Sequence, residues 1–430
     1  MKVYSFPRGG LDLGDSTAPP AESSVLTFLP IFSVIPLSCH SGGRVYPLVS
    51  AGDIVREGML IGRASGSGAV NVHATIPGKV VRKVFWKDND GFNNDALVIR
   101  LEGAFEKLGR KIIPLQWTGA NSHDIQRIIS DYGIVEMEGR GRSLADTISN
   151  FRRLNDKLTL VVRCVFDDPW LAADYVLCKE RLKEVVEGCF ITAHACTRVE
   201  RILFAVSCRE KDLGEKLLAE AGQWDIPSSL VLVGSRYPQR NKRELELSLR
   251  MYEKDENLNL GPFMILGPAT LAAVHDVVKL KKPILERYVA VGGSAVKEPQ
   301  VVKVRVGTRI GDLIEQCGGF AGAPAKVIVG SPLSGRVIVN LDEPVEKACY
   351  AVYATLKASA GYNGVNCINC GECRAVCPLG LDPQDIYKRI ITSQSKETLT
   401  CECHGCGCCK VVCPSALPLS DVILEEQLGM

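Results

Sequence analysis

The sequence predicts a multidomain protein of the α/β plus β class that ends in a cysteine-rich helical module. Three observations carry this prediction: short β-branched runs between turn residues near the N-terminus, alternating helix and strand patterns in the middle, and a concentration of cysteine at the end. The chain has 430 residues, enough for roughly two to four domains. Of its 18 cysteines, ten lie between Cys367 and Cys413.

The composition excludes several classes of protein. A formal net charge of +2 argues against a nucleic-acid binder, which usually carries a basic excess. The N-terminus has no continuous apolar signal core, and the most apolar stretch, Val25 to Cys39, is short and contains Pro30 and Pro36. A disulfide scaffold is usually a short secreted chain. We therefore expect no transmembrane segment and a reducing environment in which cysteines bind metal.

The N-terminal part of the chain predicts an arm followed by a β-rich domain. Residues 1–33 are rich in Gly, Pro and Ser, which is typical of an extended arm. Over residues 34–111, short β-branched runs alternate with turn pairs such as Pro77-Gly78. We therefore expect a small β-rich domain there.

The pattern GDxVxxGxxIG over residues 52–62 resembles the hammerhead of biotinyl and lipoyl domains, a barrel-sandwich hybrid. A carrier domain of that kind displays a lysine at the tip of a hairpin. Residues 70–76 read VNVHATI and offer no lysine. We therefore expect a scaffold, with His40 and His73 as hydrogen-bonded structural residues.

Residues 112–285 alternate helical and strand patterns. The helical patterns cover 122–134, 174–188 and 210–222, and the strand patterns cover 158–165, 201–207, 229–234 and 263–266. Such alternation predicts an α/β layer with a largely parallel sheet.

Residues 286–345 return to short β runs, with one helix from Ile310 to Cys317, which predicts a β-grasp-like unit. Residues 346–430 form the last predicted domain. A helix, Ala348–Lys357, is expected to lead into its cysteine motifs.

Two cysteine motifs stand in tandem, and both follow the spacing C-x2-C-x2-C-x3-C-P that binds 4Fe-4S clusters in bacterial ferredoxins. Three thiolates two residues apart let one tight loop wrap a cubane, and soft sulfur ligands suit iron. The fourth cysteine of each run normally ligates the other cluster. We therefore predict site 1 on Cys367, Cys370, Cys373 and Cys413, and site 2 on Cys403, Cys406, Cys409 and Cys377.

The linker between the motifs supports this crossed pairing. Asp382 is expected to cap a helix whose apolar face is formed by Ile386, Ile390 and Ile391. That helix would return the chain so that the second motif meets the first. Ser420 is expected to begin a matching helix after the second motif.

Other assignments of the cysteines stay open. Two zinc sites could use eight cysteines, although structural zinc motifs usually pair CxxC units across longer gaps. The spacing Cys401-x4-Cys406-x2-Cys409 also fits a plant-type 2Fe-2S cluster. Cys401 and Cys408 are left over and are expected to be bystanders, with redox or ligand-exchange roles as the alternative. His404 either tunes a cluster or is a spacer, and the eight remaining cysteines are expected to be buried small hydrophobes.

With the cysteine motifs placed, nearly the whole chain resembles the C subunit of the Rnf electron-transport complex. The matching segments are FPRGG (6–10), VIPLSCHSGG (34–43), YPQ (237–239), GPATLAAVHDVV (267–278) and ERYVAVGGSAVKEP (286–299). The resemblance implies a barrel-sandwich hybrid, an α/β domain like the NADH-oxidising flavoprotein subunit of respiratory complex I, a soluble-ligand-binding (SLBB-like) β-grasp domain, and a two-cluster ferredoxin-like module.

The resemblance also implies a function. Proteins of this family are peripheral on the cytoplasmic face of the inner membrane and pass electrons between NADH, a flavin and iron–sulfur clusters, while membrane-embedded partners move Na⁺ or H⁺. The expected protein is therefore an electron-transfer component of an oxidoreductase and translocase complex. Its expected partners are the membrane-embedded subunits and a soluble carrier such as ferredoxin or flavodoxin, and nucleic acid is not among them.

The flavin and NADH site is where the chain departs from the family. The glycine-rich loop keeps only Gly139 and Gly141 as degenerate flavin contacts, and it gains Glu136 and Glu138 where a phosphate would sit. Three further segments, 163–169, 237–243 and 267–270, lose polar residues that the family pattern has. Because four segments change together, we expect this domain to serve as a scaffold and not to bind FMN or NADH as the family does.

Basic residues replace several of the lost contacts. They are Arg140, Arg142, Arg163, Arg240, Lys242 and Arg243. Either they form a solvated charged face, or they form a docking patch for an acidic electron carrier, which complementary charge would attract.

Two other functions remain compatible with the sequence. One is a soluble reductase of the same superfamily, such as the cobalamin-reductase-like protein of bacterial microcompartments or the flavoprotein associated with proline reductase. The other is a structural subunit whose clusters only stabilise the fold.

Overall fold

The computed structural model describes residues 2–37, 43–87, 93–105, 113–139, 141–154, 156–356, 366–392 and 402–428. Within these ranges no helix combines the length and the apolar character that a membrane crossing needs.

The N-terminal part of the chain, up to Leu101, is built from strands. They are β1 (Val3–Tyr4), β2 (Ser24–Leu26), β3 (Phe32–Pro36), β4 (Arg44–Pro47), β5 (Ile54–Val55), β6 (Leu60–Ser65), β7 (Val72–His73), β8 (Gly78–Lys87) and β9 (Asn93–Leu101). Strands β3-β9-β8-β5 form one antiparallel sheet and β4-β6-β7 form another. Alternating β-branched residues such as Ile35, Ile61 and Ile99 bury one face of each sheet in a shared core. The β-rich prediction is confirmed.

The central α/β domain follows. Its elements are α1 (Ser122–Asp131), α2 (Leu144–Arg153), β10 (Leu158–Cys164), α3 (Ala172–Glu180), α4 (Leu182–Cys196), β11 (Val199–Ser207), α5 (Lys211–Ala221), β12 (Ser228–Val233), α6 (Lys242–Asp255), β13 (Phe263–Leu266) and α7 (Pro268–Leu280). The sheet order is β1-β12-β11-β10-β13, and all its pairings are parallel. The predicted parallel sheet is confirmed, since all four predicted strands lie in it.

One helix of this domain was predicted wrongly. The pattern over 174–188 predicts a single helix, but the structure has two, because Arg181 leaves the helical conformation with φ −124° and ψ 35°. Its guanidinium donates two hydrogen bonds to the carboxylate of Asp276 in α7, at 3.0 and 2.6 Å. Apolar periodicity does not register such a break, because both helices keep their buried faces toward one core.

A β-grasp-like domain comes next. It contains β14 (Glu286–Gly292), β15 (Gln300–Arg305), α8 (Ile310–Gln316), β16 (Lys326–Val329), β17 (Arg336–Ile338) and β18 (Ala351–Thr355), and its sheet order is β17-β16-β18-β14-β15-β2. The helix predicted over Ala348–Lys357 is wrong. Residues 351–355 form β18 in the middle of this sheet, where strands on both sides satisfy its backbone groups.

The predicted N-terminal arm is extended but belongs to two other sheets. Strand β1 adds a parallel edge to the α/β sheet beside β12, and β2 adds a parallel edge to the β-grasp sheet beside β15. Between them, Asp15 accepts a hydrogen bond from the indole of Trp170 at 3.0 Å. The segment therefore links the α/β and β-grasp domains.

The cysteine module contains the last helices. They are α9 (Glu372–Ala375), α10 (Pro383–Ile391), α11 (Cys408–Val411) and α12 (Leu419–Leu428). Asp382 caps α10 as predicted, by accepting a hydrogen bond from the N–H of Asp385. The apolar face is partly wrong: Ile386 and Tyr387 are buried, whereas Ile391 is exposed.

Candidate iron–sulfur sites and remodelled cofactor pocket

The two cysteine motifs adopt the same backbone conformation. Left-handed residues recur at three equivalent places: just before the second cysteine, just after it, and three residues after the last cysteine. They are Asn369, Gly371 and Gly380 in the first motif and Gly405, Gly407 and Ala416 in the second. The shared spacing therefore builds two equivalent loops, each followed by a short helix.

Each motif also ends in the same turn. The N–H of Gly380 donates to the carbonyl of Cys377 at 3.1 Å, and the N–H of Ala416 donates to the carbonyl of Cys413 at 3.0 Å. The proline after each last cysteine has no N–H to donate and fits this turn. The chain leaves both motifs along equivalent paths toward α10 and α12.

The four cysteines predicted for site 1 line one small cavity. Cys413 comes from the second motif and reaches the cavity formed by the three cysteines of the first. Leu417 and Leu419, each 2% exposed, close its apolar wall. Cys370 is exposed, so one side of site 1 faces solvent.

Site 2 gathers its residues around Cys409. Burial, followed by the nearby charges of Cys406, Cys403, Cys377 and Cys373, raises the pKa of Cys409 to about 12. Cys377, from the first motif, therefore lies within electrostatic reach of the second triplet, and both Cys377 and Cys409 are buried. The crossed pairing predicts that Cys377 lies near the second triplet. That Cys377 binds the site 2 cluster stays a prediction.

The donor set at both predicted sites suits iron–sulfur clusters, because soft thiolate ligands favour iron. Among the described residues, no three His, Cys, Asp or Glu side chains are arranged so that they could hold one metal ion. Cysteines that ligate a cubane bind four different iron atoms and so stand farther apart than the ligands of one zinc ion.

Cys408 and His404 lie beside site 2 in distinct environments. Cys408 is fully buried, and its hydrogen bond to Cys406, together with burial, raises its pKa. Glu372 takes the equivalent place in the first motif and is exposed. The ring of His404 lies 3.0 Å from the Glu244 carboxylate of α6. Cys401 lies outside the described residues.

The degenerate flavin loop is folded back on itself. Val135 pairs with Ser143, and the N–H of Glu136 donates to the carbonyl of Arg142 at 2.7 Å. Gly139 and Gly141 both take positive φ, but Gly139 has open space where a side chain would be, and Gly141 packs near Ala348. Their positive φ values fit a turn.

The loop is held by hydrogen bonds at the N-terminus of α7, which lies in the degenerate segment 267–270. The buried hydroxyl of Thr270 accepts a hydrogen bond from the N–H of Met137 at 2.9 Å and donates one to the Glu138 carboxylate at 2.8 Å. The other Glu138 oxygen overlaps the place that a Cβ on Gly267 would take. A carboxylate of the chain therefore occupies the start of this helix.

That arrangement does not fit a flavin phosphate. A helix N-terminus is where backbone N–H groups and the helix dipole bind a phosphate. Here Glu138 provides the anion, and burial raises the pKa of the neighbouring Glu136. A phosphate at this place would meet the Glu138 carboxylate at close range.

The other two degenerate segments form a buried ion cluster. Asp174 is 1% exposed and accepts hydrogen bonds from Arg240 and Arg287, both at 3.2 Å. The carboxylate of Asp167 accepts the N–H of Arg240 at 2.8 Å, and burial raises its pKa to about 7. Arg163 donates to the Arg240 carbonyl at 3.2 Å.

This cluster corrects the sequence interpretation of the basic replacements. Arg240 has a side chain only 19% exposed and pairs with Asp174, so Arg163 and Arg240 belong neither to a solvated face nor to a docking patch. Arg142, Lys242 and Arg243 are exposed. Arg140 lies outside the described residues. The acidic partners of these arginines lie far away in the chain, so the sequence alone could not predict the ion pairs.

The remaining predicted residues are scattered through the domains. Of the eight cysteines outside the module, six are buried as expected, Cys208 is half-buried, and Cys39 lies outside the described residues, as does His40. His73 is buried, its ring stacks on Tyr132, and burial lowers its pKa to about 3. Its Nδ1 has no hydrogen-bond partner among the described atoms, so the hydrogen bond expected for it is not seen at that nitrogen.

Three family models match the chain in the order of its domains. Residues 8–104 match the RnfC barrel sandwich hybrid domain, residues 129–259 the Nuo51 FMN-binding domain, and residues 288–339 the SLBB domain. Together with the sheets described above, they define a protein built from a barrel-sandwich hybrid, a complex-I-flavoprotein-like α/β domain and a β-grasp domain. The predicted fold class is confirmed.

Curated relatives cover nearly the whole chain. The C subunit of the ion-translocating oxidoreductase complex of Rhodobacter capsulatus is 28% identical over 390 residues, 89% of this chain and 74% of the relative. The C subunit of the Na⁺-translocating ferredoxin:NAD⁺ oxidoreductase complex of Acetobacterium woodii is 28% identical over 83% of this chain and 81% of the relative. The C subunit of the proton-translocating ferredoxin:NAD⁺ oxidoreductase complex of Clostridium ljungdahlii is 27% identical over 87% and 82%.

The chain is therefore a homologue of Rnf complex C subunits, as its motifs predict. Among solved structures, an NAD⁺-reducing [NiFe]-hydrogenase in the H₂-reduced state aligns with a TM-score of 0.48 and 14% identity. The alignment covers 63% of this chain and about half, 53%, of the hydrogenase chain.

Proposed function

We propose that this protein is the iron–sulfur electron-transfer subunit of an Rnf-type, ion-translocating electron-transport complex. Site 1 would hold one 4Fe-4S cluster and site 2 the other. The observation that carries the proposal is the cavity lined by Cys367, Cys370, Cys373 and Cys413, because it draws cysteines from both motifs. The homologous C subunits support the same assignment.

Each part of the module has a role in that function. The clusters, when bound, accept and release single electrons. The cysteine side chains hold them, and Leu417 and Leu419 keep water from the inner wall of site 1. The exposed Cys370 leaves one side of site 1 open to a soluble partner. Site 2 lies against the α/β domain through His404 and Glu244.

The α/β domain then serves as a scaffold. It matches a flavin-binding family model, yet Glu138 occupies the start of α7, and Arg163, Asp167, Asp174 and Arg240 neutralise one another in the pocket. Glu138 supplies an anion and these side chains pair with one another, which supports a scaffold role, while Glu138 Oε1, Arg163 Nε and Asp167 Oδ1 keep no hydrogen-bond partner among the described atoms. We therefore expect no FMN or NADH binding of the kind the family uses.

The relatives support a proposal for the location and partners. As a subunit of a membrane complex, the protein would lie peripherally on the cytoplasmic face of the inner membrane and contact membrane-embedded subunits. Relatives named as ferredoxin:NAD⁺ oxidoreductase subunits make ferredoxin the favoured soluble carrier, with flavodoxin as the chemical equivalent. The isolated chain would transfer electrons without turning over a substrate.

Anaerobic purification with iron and flavin analysis and an NADH titration tests the proposal. We expect about eight iron atoms per chain, no flavin and no bleaching by NADH, but rapid bleaching by reduced ferredoxin. Stoichiometric FMN with prompt bleaching by NADH would instead identify a soluble reductase. Clusters that no physiological carrier reduces would identify a purely structural role.

A further inference from the structure

The N-terminal segment touches the end of the first cysteine motif. Gly10 donates its N–H to the carbonyl of Val376 at 2.8 Å. A Cβ on Gly9 would lie 2.6 Å from both the carbonyl carbon and oxygen of Cys377. Both glycines take positive φ, 65° and 84°, which L side chains rarely adopt. The backbone here approaches the backbone of a predicted site 2 ligand as closely as glycine allows.

The same segment is tied to the second motif through Tyr237. Leu11 and Tyr237 exchange two backbone hydrogen bonds of 2.8 Å in an isolated antiparallel bridge. The buried phenol of Tyr237 then donates to the carbonyl of Cys406 at 2.8 Å. Residues 9–11 and Tyr237 thus form one ribbon that reaches both motifs.

The two cysteines that the ribbon reaches, Cys377 and Cys406, come from different motifs but share one predicted site. We propose that Gly9, Gly10 and Tyr237 are positioning residues of site 2 and fix its cluster against the α/β domain. The proposal rests on the two-cluster assignment made above. It adds that the N-terminal segment, far away in sequence, completes one site and leaves the other untouched.

Equivalent positions in the two loops support this asymmetry. A Cβ on Gly407, in the site 2 loop, would lie 2.8 Å from the carbonyl oxygen of Leu333 in the β-grasp domain. A Cβ on its counterpart Gly371, in the site 1 loop, would meet nothing within 4 Å. Site 2 is therefore packed between domains, whereas the loop of site 1 borders open space.

The test separates the two clusters before it perturbs the ribbon. Two background variants are prepared anaerobically: Cys370→Ala, which would keep only the site 2 cluster, and Cys403→Ala, which would keep only the site 1 cluster. Gly9→Ala and Tyr237→Phe are added to each. Gly14→Ala is the matched control, because a Cβ there meets nothing within 4 Å. Iron content, the EPR spectrum of the reduced cluster and its midpoint potential are measured.

In the Cys370→Ala background, Gly9→Ala should lower iron from about four atoms to below about one, since the added methyl displaces the backbone of Cys377. Tyr237→Phe should keep the iron but change the EPR spectrum and the potential, because it removes only the hydrogen bond to the Cys406 carbonyl. Neither change should alter the cluster in the Cys403→Ala background.

Any other pattern overturns the inference. Equal effects in both backgrounds would indicate a general folding defect, and no effect in either would show that the ribbon does not position a cluster. Iron-free wild-type protein would instead refute the two-cluster function, so the two failures are distinguishable. Tyr237→Phe keeps the test decisive if Gly9→Ala does not fold.

Discussion

The α/β pocket and the cysteine module differ in which groups of the chain lie where a cofactor would bind. In the module, cysteines from two motifs line a shared cavity, and the backbone of one loop repeats that of the other. In the pocket, Glu138 sits at the start of α7, and Asp174 lies between two arginines. One region offers cysteines whose proposed partner is a cluster. The other pairs several charged groups within the chain and leaves Glu138 Oε1, Arg163 Nε and Asp167 Oδ1 without a hydrogen-bond partner among the described atoms.

The difference shows how each kind of site depends on its ligand. A nucleotide pocket uses many polar contacts, and most buried polar groups in proteins are paired. In the proposed scaffold, the contact between Glu138 and Thr270 would take the place of contacts to a nucleotide. A cubane needs four thiolates at fixed spacing, so the cysteine loops have no comparable substitute.

The largest expected effect comes from the crossed pairing of the cysteines. Cys370→Ala and Cys413→Ala should each leave about four iron atoms per chain, and the double variant should also leave about four, because both residues serve site 1. The pair Cys370→Ala and Cys377→Ala should leave almost none. Iron and acid-labile sulfide analysis distinguishes these outcomes, and the reverse ranking of the two double variants would establish uncrossed sites.

Removing the hydroxyl of Thr270 should destabilise the α/β domain, because two buried hydrogen bonds are lost. Thr270→Val leaves the buried Met137 N–H and the Glu138 carboxylate without their partner, at a cost of roughly 1–3 kcal/mol each. The urea or thermal midpoint should fall accordingly. Thr392→Val, at an exposed helix end, should change stability by no more than about 0.5 kcal/mol. Equal midpoints for the two variants would mean that the pocket does not depend on this contact.

Asp167 should make stability depend on pH in the opposite sense from an ordinary carboxylate. Its folded pKa of about 7 lies above the usual value of 3.8, so between these values the folded state binds more protons than the unfolded state. Stability from this group is therefore greatest at low pH and falls as the pH rises toward 7.

Replacing Asp167 by Asn should remove that dependence. Each pKa unit corresponds to about 1.4 kcal/mol, and two pH units separate pH 5 from the folded pKa of about 7, so the gain in stability at pH 8 relative to pH 5 is at most about 3 kcal/mol. Denaturation midpoints of both proteins at the two pH values provide the measurement. An Asn variant whose midpoint tracks that of the wild type at both pH values would show that Asp167 is ionised throughout.

The smallest expected effect concerns Cys408. Cys408→Ala should keep about eight iron atoms per chain, because the residue lies beside the ligands without taking a ligand position of the repeated motif. Cys406→Ala, two residues away, should lose about half. An iron loss in Cys408→Ala equal to that in Cys406→Ala would make Cys408 a ligand.

Regular patterns were the predictable part of the fold. The spacing of β-branched residues and turns predicted the barrel, the alternation of helices and strands predicted the parallel sheet, and Asp382 was recognised as a helix cap. Strand β18 was not predicted, because the segment AVYAT (351–355) is compatible with a helix or a strand. Its pairing with β14 and β16 makes it a strand. Long-range pairing carries no local signature.

The same limit applied to the sites. Cysteine spacing pointed to the four residues that line the site 1 cavity. The ligands of both clusters stay a prediction. The pairing of Arg240 with Asp174 and the contact of Gly9 with Cys377 join residues far apart in the chain, so the sequence alone could not place them. The charge changes in the pocket could be seen in the sequence, but the burial of those charged side chains could not.

The ribbon has a consequence for the order in which the protein is completed. Gly10 and Val376 lie roughly 366 residues apart in the chain. At about 5–20 residues per second, a ribosome needs roughly 20–70 s to make that stretch. Both sites use cysteines that are synthesised late, Cys413 for site 1 and Cys409 for site 2. Under the proposal, site 2 would also need the N-terminal segment, made long before, to dock against the folded module, whereas site 1 would not.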